Sequence, residues 1–504
     1  MPNIIGIDLG TTTTLIATLS QSGEAVIVNN QAGEKLTQSA IWFEDAHRAN
    51  IGSEAKKMVG GADNVFVEFK RDMGDDSVVH KVFDKELRPS DLSAIVLRQI
   101  REQFESVHGK VDAVIITIPA NFTDQARADT IKAAEAAGFK LAEDALVNEP
   151  TAAAIYYAAT SPSKLVGNFL VYDFGGGTFD ATILKVDGDD IKVITSMGVQ
   201  RLGGKDLDEK LAELIARKYE AASGKKFDDK ECSLQKHEVE QFKHTLSVRD
   251  KVSVPLRTPS GIVRLDITRD EFNEAISALV AQAEMAVDSA LLAAKLSPSD
   301  LAGVFLAGGS TRVPALTESL ERQLGIKPMA KNVDEAVALG ACLYAGIRNK
   351  DKLSAGQKQQ IAAKKVQDVT PHFFGTIYFD RQRGRRLNET LIAKDVPLPC
   401  SVTKSFSRDD QHNGEKIHIE ITQCSREEED IAFVNVIWDG YLENLPKVTQ
   451  QSEIQITYSY DLNGLMKCRV LDVVSGRTMD TSLTASSGAK EGAESKVDVN
   501  DFLL

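Results

Sequence analysis

The sequence predicts an α/β domain followed by a smaller all-β domain, and three observations carry that prediction. The chain has 504 residues, too many for one hydrophobic core. Up to about residue 350, short apolar runs alternate with helical stretches. Beyond Val369-Thr370-Pro371 the apolar residues recur at every second position. The expected boundaries are 1–350 for the α/β domain, 351–369 for a connector, 370–484 for the β domain and 485–504 for a tail.

Within the α/β part, Ile4-Ile5-Gly6-Ile7-Asp8-Leu9-Gly10-Thr11-Thr12 runs apolar, then acidic, then into a Gly/Thr turn. Leu170-Val171-Tyr172-Asp173-Phe174-Gly175-Gly176-Gly177-Thr178 repeats the scheme in mid-chain. Each is followed by a second β-like run, Leu15 to Leu19 and Ala181 to Leu184, so each turn reads as a hairpin loop. Glycines let a backbone approach a phosphate closely, and exposed N–H groups and Thr hydroxyls donate to its oxygens. The Asp at each strand end offers a hard carboxylate to Mg²⁺ or to its waters. Two such loops face to face would clamp a triphosphate. No G-x-x-x-x-G-K-[ST] motif occurs, and neither loop opens a helix, so the arrangement is not of the Walker type.

Ala113-Val114-Ile115-Ile116-Thr117-Ile118-Pro119 reads as a buried strand, and Asp124 to Ala137 as an Ala-rich helix stopped by Gly138. Glu271 to Lys295 reads as one long helix. Gly303-Val304-Phe305-Leu306-Ala307-Gly308-Gly309-Ser310-Thr311-Arg312 is strand, then glycine turn, with Pro314 at a helix start and a guanidinium able to stack on a base. Lys350 to Lys365 reads as a short helix or connector. In the β part, Ile417, Ile419 and Ile421 alternate with polar residues. Ile454, Ile456, Tyr458 and Tyr460 do the same and run into Leu462-Asn463-Gly464, a strong hairpin signal. Ala485 to Lys496 is small, polar and aperiodic, the composition of a disordered segment. Val497-Asp498-Val499-Asn500-Asp501-Phe502-Leu503-Leu504 is expected to be an inert end, with a docking peptide as the competing reading.

Composition sets limits. With 42% hydrophobic and 26% charged residues the chain is an ordinary globular protein. A net charge of -14 speaks against nucleic acid as a partner. Cys232, Cys342, Cys400, Cys424 and Cys468 are scattered, with no C-x-x-C spacing, so neither a zinc site nor a disulfide framework is expected, and a reducing cytoplasm fits. No run is expected to approach a membrane span, and no membrane partner is expected.

The three glycine segments closely resemble the signatures of the seventy-kilodalton heat-shock chaperone family. The resemblance continues through Asn148-Glu149-Pro150-Thr151-Ala152-Ala153-Ala154 and Asp334-Glu335-Ala336-Val337-Ala338-Leu339-Gly340-Ala341. It is specific over residues 3 to about 350 and looser over 368 to about 484. It implies an actin-like two-lobed ATPase domain followed by an all-β sandwich peptide-binding domain. The implied cofactors are ATP/ADP and Mg²⁺, with K⁺ as a further candidate. Unfolded or extended polypeptides are the implied partners, with a J-domain cochaperone and a nucleotide exchange factor by analogy.

The resemblance also assigns residues. Asp8 and Asp173 would hold hydrated Mg²⁺ and orient water, while Thr11, Thr12, Thr178 and the Gly10 and Gly175 to Gly177 backbone meet the phosphates. Lys70 matches the catalytic lysine, and Glu149 a carboxylate behind the metal. Glu240, Lys243, His244 and Ser247 share one helical face matching adenosine contacts, with Gly308, Gly309, Ser310, Arg312 and Asp334 opposite; His244 stands where an arginine is frequent. Pro119, Arg127 and Asp368 match interdomain switch positions, and Phe379, Phe406, Ile417 and Ile419 a peptide cleft. Read from the residues alone, that polar helical face is a solvated face and those alternating apolar residues are core.

Several departures stand out. Lys365, Val366 and Gln367 replace the connector's leucines, which puts interdomain coupling in doubt; Asn121 replaces a frequent Tyr and Ala145 an arginine used by J-domain partners. The helical lid of the family has no counterpart in this sequence. The leading expectation is an ATP-hydrolysing, peptide-binding chaperone without a lid. The alternatives are a nucleotide-sensing adaptor for one partner with little turnover, and a sugar or acetate kinase sharing the phosphate loops.

Overall fold

The computed structural model describes residues 2–228, 236–258, 261–361, 365–408, 416–446, 452–482 and 498–504. The chain divides into two compact units. The first comprises Met1–Asn121, Lys132–Val366 and Val497–Leu504, and the second Phe122–Ile131 and Gln367–Lys496.

The first unit is mixed α/β and built on two large sheets that repeat one plan. In one sheet Ile4–Leu9 runs parallel to Ala113–Ile118 and antiparallel to Thr13–Leu19, with Ala25–Ile27 beyond. In the other Val166–Phe174 runs parallel to Leu301–Ala307 and antiparallel to Phe179–Asp187, with Asp190–Val199 beyond. Continuous apolar runs such as Ile4-Ile5-Gly6-Ile7 suit strands covered on both faces. A core shared by the two sheets takes in Ile4, Val147, Val171 and Phe305, together with the helices Glu149–Thr160 and Ala336–Arg348. Both helices are rich in alanine, which permits close approach. A Cβ on Gly340 would lie 1.8 Å from the Ala152 carbonyl oxygen, and one on Gly6 2.1 Å from the Cys342 nitrogen. Glycine is therefore required at both positions.

Some elements differ from the expectation. The helical stretch from Glu271 is two helices, Arg269–Ala275 and Ser277–Ala294, because Ile276, fully buried, leaves helical geometry at ψ 1° between them. Thr268 caps the first by accepting from the Glu271 N–H at 3.2 Å. Ser277–Ala294 does reach the length and apolarity of a membrane span, contrary to the sequence expectation, and it buries Ala283, Val287, Ala290 and Leu291 in the first unit's core. Within Lys350–Lys365 a short helix forms at Ala355–Gln360. The leucine-poor connector Lys365–Gln367 is a strand on the Asp190–Val199 edge, with Lys365 N–H donating to the Asp189 carbonyl at 2.9 Å.

The second unit stacks two four-stranded antiparallel sheets. One runs Arg385–Ile392, Phe373–Asp380, Ile417–Cys424 and Asn435–Leu442; the other runs Cys400–Arg408, Ser452–Tyr460, Met466–Asp472 and Thr478–Ser482. Their inner faces share a core of Phe374, Ile421 and Trp438 with Ile454, Tyr458 and Val470. The Asn463-Gly464 hairpin forms, with Gly464 at φ 70° and the Asp461 carboxylate accepting from Asn463 and Leu465 N–H at 2.9 and 3.0 Å. The helix that starts at Asp124 contributes its first turns to this unit. Tyr460 hydroxyl donates to Asp124 Oδ1 at 2.6 Å, Met466 N–H to Oδ2 at 3.1 Å, and Arg127 to the Asn463 carbonyl at 3.3 Å.

The expected disordered segment 485–496 lies outside the described residues. Residues 498–504 correct the expectation of an inert end: Val499 and Phe502 are buried against the first unit. Among the described cysteines none is disulfide-bonded; Cys232 lies outside the described residues.

Candidate active site

The two Gly/Thr loops face each other across a cavity of about 880 Å³ in the first unit. The contact is close enough to fix the residue types. A Cβ on Gly176 would lie 2.5 Å from Thr12 Oγ1, and one on Gly177 2.6 Å from Thr11 Oγ1. Each loop closes an antiparallel hairpin, whose strand register delivers Asp8 and Asp173 to the same end of their sheets. The third loop joins them: Gly308, at φ 81°, lies under the Phe174 carbonyl, and Ser310 hydroxyl donates to the Gly175 carbonyl at 2.8 Å.

Asp8, Gly10, Thr11, Thr12, Lys70, Glu149, Asp173, Gly175, Gly176 and Thr178 all line the cavity. Gly177 sits just behind it, its carbonyl accepting from Arg71 at 2.9 Å. Lys70 comes from a short turn, Phe69–Asp72, and its buried ammonium meets Glu149 Oε1 at 2.6 Å. Glu149 is the first residue of its helix with Pro150 next to it, so the Glu-Pro pair serves both as helix start and as site carboxylate.

Three carboxylates around one ammonium leave an excess of negative charge at this end of the cavity. Burial, then the Glu149 charge, pushes Asp8 up to about 7, against Lys70 and the Thr117 hydroxyl that donates to it at 3.1 Å. Asp173 is pushed well above the usual carboxylate range by burial and by Glu149, Asp180 and Asp8. Its Oδ2 is buried without a hydrogen-bond partner. A divalent cation satisfies this donor set: hard oxygen ligands, surplus charge and an open acceptor.

At the other end of the cavity Glu240, Lys243, His244 and Ser247 line one wall from the helix Lys236–Val248, and Gly309, Arg312 and Asp334 line another. Most of these polar groups are engaged with protein. Glu240 pairs with Lys56 at 2.9 Å, Lys243 with Asp208 at 2.9 Å, and Arg312 forks onto Asp334 with its Nε at 3.0 Å. Ser247 hydroxyl donates to the Lys243 carbonyl at 3.0 Å. Burial opposes ionisation of Glu240, yet the ammonium groups of Lys56, Lys205 and Lys243 hold it down at about 2.

Sequence reasoning missed Lys56, Lys205, Asp208 and the Gly203-Gly204 pair. The glycine pair opens the helix Gly204–Ser223, whose Gly204 and Lys205 N–H groups donate to the Gly175 and Gly176 carbonyls at 3.0 Å each, bracing the second loop. Gly-Gly followed by Asp206, which accepts from Gly203 N–H at 2.7 Å, is a helix-start signal visible in the sequence.

The remaining candidates lie elsewhere. Pro119 is buried in the first unit beyond the strand Ala113–Ile118, while Arg127 and Asp368 belong to the second. Ala145 is fully buried and presents no surface. In the second unit Ile419 is core, Phe406 and Ile417 pack at its margin, and Phe379 is exposed.

The model of the Hsp70 protein family matches residues 4–501, through both units and into the last segment, which ends at Leu504. Nearly the whole described chain is thus accounted for by one family, and this chain belongs to the Hsp70 protein family.

Proposed function

We propose that the chain is an ATP-dependent chaperone that hydrolyses ATP in the first unit and holds extended polypeptide on the second. Family membership carries the general chaperone role. The observation that carries the catalytic reading is the opposition of the two hairpin loops, with Asp8 and Asp173 at their bases and Lys70 between them.

Phosphoryl transfer to water asks mainly for positioning and for cationic groups placed where charge develops. Thr11, Thr12 and Thr178 supply hydroxyls and the Gly175–Gly177 loop supplies amides for phosphate oxygens. The Lys70 ammonium, held by Glu149, is placed for the terminal phosphate and its attacking water. Asp8 and Asp173 would hold Mg²⁺, which would supply positive charge to the transferring group. Glu240, Lys243, Ser247 and Arg312 would take adenosine by exchanging protein partners for the base and ribose. In the second unit the sheet margin near Phe406 and Ile417 is the proposed place for apolar polypeptide, and a J-domain cochaperone and an exchange factor are the proposed protein partners.

Single-turnover hydrolysis tests the reading. Replacing Lys70 with Ala should slow the chemical step by about 10²-fold or more, the scale of losing one preorganised charge, while nucleotide still binds. An unchanged rate in Lys70→Ala would remove Lys70 from catalysis. Absence of any magnesium-dependent nucleotide binding in the wild type would remove the whole reading.

A further inference from the structure

Residues Val499 to Leu503 sit in a slot of the first unit, between a sheet edge and the helix Pro89–His108. The strand Arg48–Ile51 is the edge of a three-stranded sheet, and Leu503 extends it in parallel. Leu503 N–H donates to the His47 carbonyl at 2.7 Å, and Ala49 N–H donates to the Leu503 carbonyl at 2.9 Å. On the other side, the buried Arg98 of the helix Pro89–His108 donates one nitrogen to the Val499 carbonyl and the other to the Phe502 carbonyl, the latter at 2.5 Å. These contacts read backbone, as strand-addition sites do.

Side chains supply the selectivity. Val499–Asp501 is one 3₁₀ turn, which puts Val499 and Phe502 on the same side, and both are buried. The Phe502 ring lies 5.0 Å from the Phe43 ring, with Lys85 Nζ 4.2 Å above its face. Lys85 also faces Asp501 at 3.4 Å. An open slot would leave the Arg98 fork and the Phe43 face without these partners, so the site favours being filled.

We propose that this slot is a recognition site for the chain's own Val499–Leu503, bound in cis and exchangeable, and that its occupancy steadies the support of Lys70. In sequence, the stretch 485–496 that precedes the occupant is small and polar. A linker of that composition would hold its ligand at an effective concentration of about millimolar, enough to fill a site of modest affinity while leaving it displaceable. The coupling follows from what the slot rests on. Phe43 packs on Phe66, ring centroids 5.8 Å apart, and Phe66 lies in the strand Val65–Val67, just before the turn that presents Lys70. The same turn packs against the helix that carries Arg98. The coupling half rests on the role proposed for Lys70; the docking half does not.

The test is fluorescence polarisation with a dye-labelled Asp498–Leu504 peptide and the full chain. Phe502→Asp, a change confined to the docked segment, should empty the slot and bind the peptide saturably. Wild type should bind it at least tenfold more weakly, because its own segment competes. Adding Arg98→Lys to Phe502→Asp should lose most of the binding, since an ammonium cannot span two carbonyls. Peptide should then change the single-turnover hydrolysis rate of Phe502→Asp. No saturable binding to Phe502→Asp overturns the site, and crosslinks joining the segment of one copy to the slot of another overturn its cis occupancy. Binding with no change in rate overturns the coupling alone. Failure of nucleotide binding in wild type with intact peptide binding sinks the catalytic reading but not the slot.

Discussion

Asp124 holds its proton far above the usual carboxylate range. Burial pushes its carboxyl up to about 6, against the Tyr460 hydroxyl, the Arg127 guanidinium and the Met466 N–H. Between pH 4 and 6 the folded chain therefore keeps a proton that the unfolded chain releases. Stability from this group is present below about pH 4 and falls as pH rises through 6, by at most about 3 kcal/mol. Asp124→Asn removes the titration and sets an amide near the Met466 N–H, a cost that does not vary with pH. Urea midpoints should show the variant weakest relative to wild type at pH 4 and gaining on it by pH 7; parallel profiles would exclude Asp124 as the titrating group. At this scale the sequence is uneven in what it reveals. Asp8 and Asp173 are legible because their glycine loops are adjacent in the chain. Lys70 is one lysine among many until Glu149, 79 residues away, is seen beside it.

Among elements, the hairpins were legible and the joints were not. Period-two patterns placed Ile454 to Tyr460 with all four apolar residues inward, because alternation is a local property of a pleated strand. The break at Ile276 and the strand at Lys365–Gln367 depend on tertiary burial and on a free sheet edge, which no local pattern records. One cross-strand contact invites a direct measurement. Arg408 and Asp472, both fully buried, pair at 3.4 Å at the end of the second sheet of the second unit, with Arg408 also donating to the Pro446 carbonyl at 2.6 Å. Arg408→Ala strands a buried carboxylate and should destabilise the second unit by about 3–5 kcal/mol. Joint replacement with Met and Leu should restore most of that loss. Hydrogen exchange in Ser452–Tyr460 reads both, and equal protection in Arg408→Ala and wild type would refute the assignment.

At the scale of the whole molecule, neither compact unit is one continuous stretch of chain. The second takes in Phe122–Ile131 and the first takes in Val497–Leu504, so cutting at the connector would separate segments from the units that house them. That interleaving was illegible because it rests on pairs such as Arg98 and Val499, 401 residues apart. The two Gly/Thr loops, by contrast, are legible because loops that pack Gly176 and Gly177 this closely on Thr12 and Thr11 are written in glycine.

The contact of Gly6 with the Cys342 backbone has a practical corollary. The Cys342 thiol is fully enclosed, and burial raises its pKa, so a maleimide reaches it only when the helix lifts from the strand that carries Asp8. Its labelling rate is a stopwatch for opening of the first unit's core, whereas half-exposed Cys400 reports the reagent alone. Nucleotide at a hundred times its dissociation constant should slow the Cys342 clock by about 100-fold and leave Cys400 running at its own pace, a difference that peptide mass mapping resolves residue by residue.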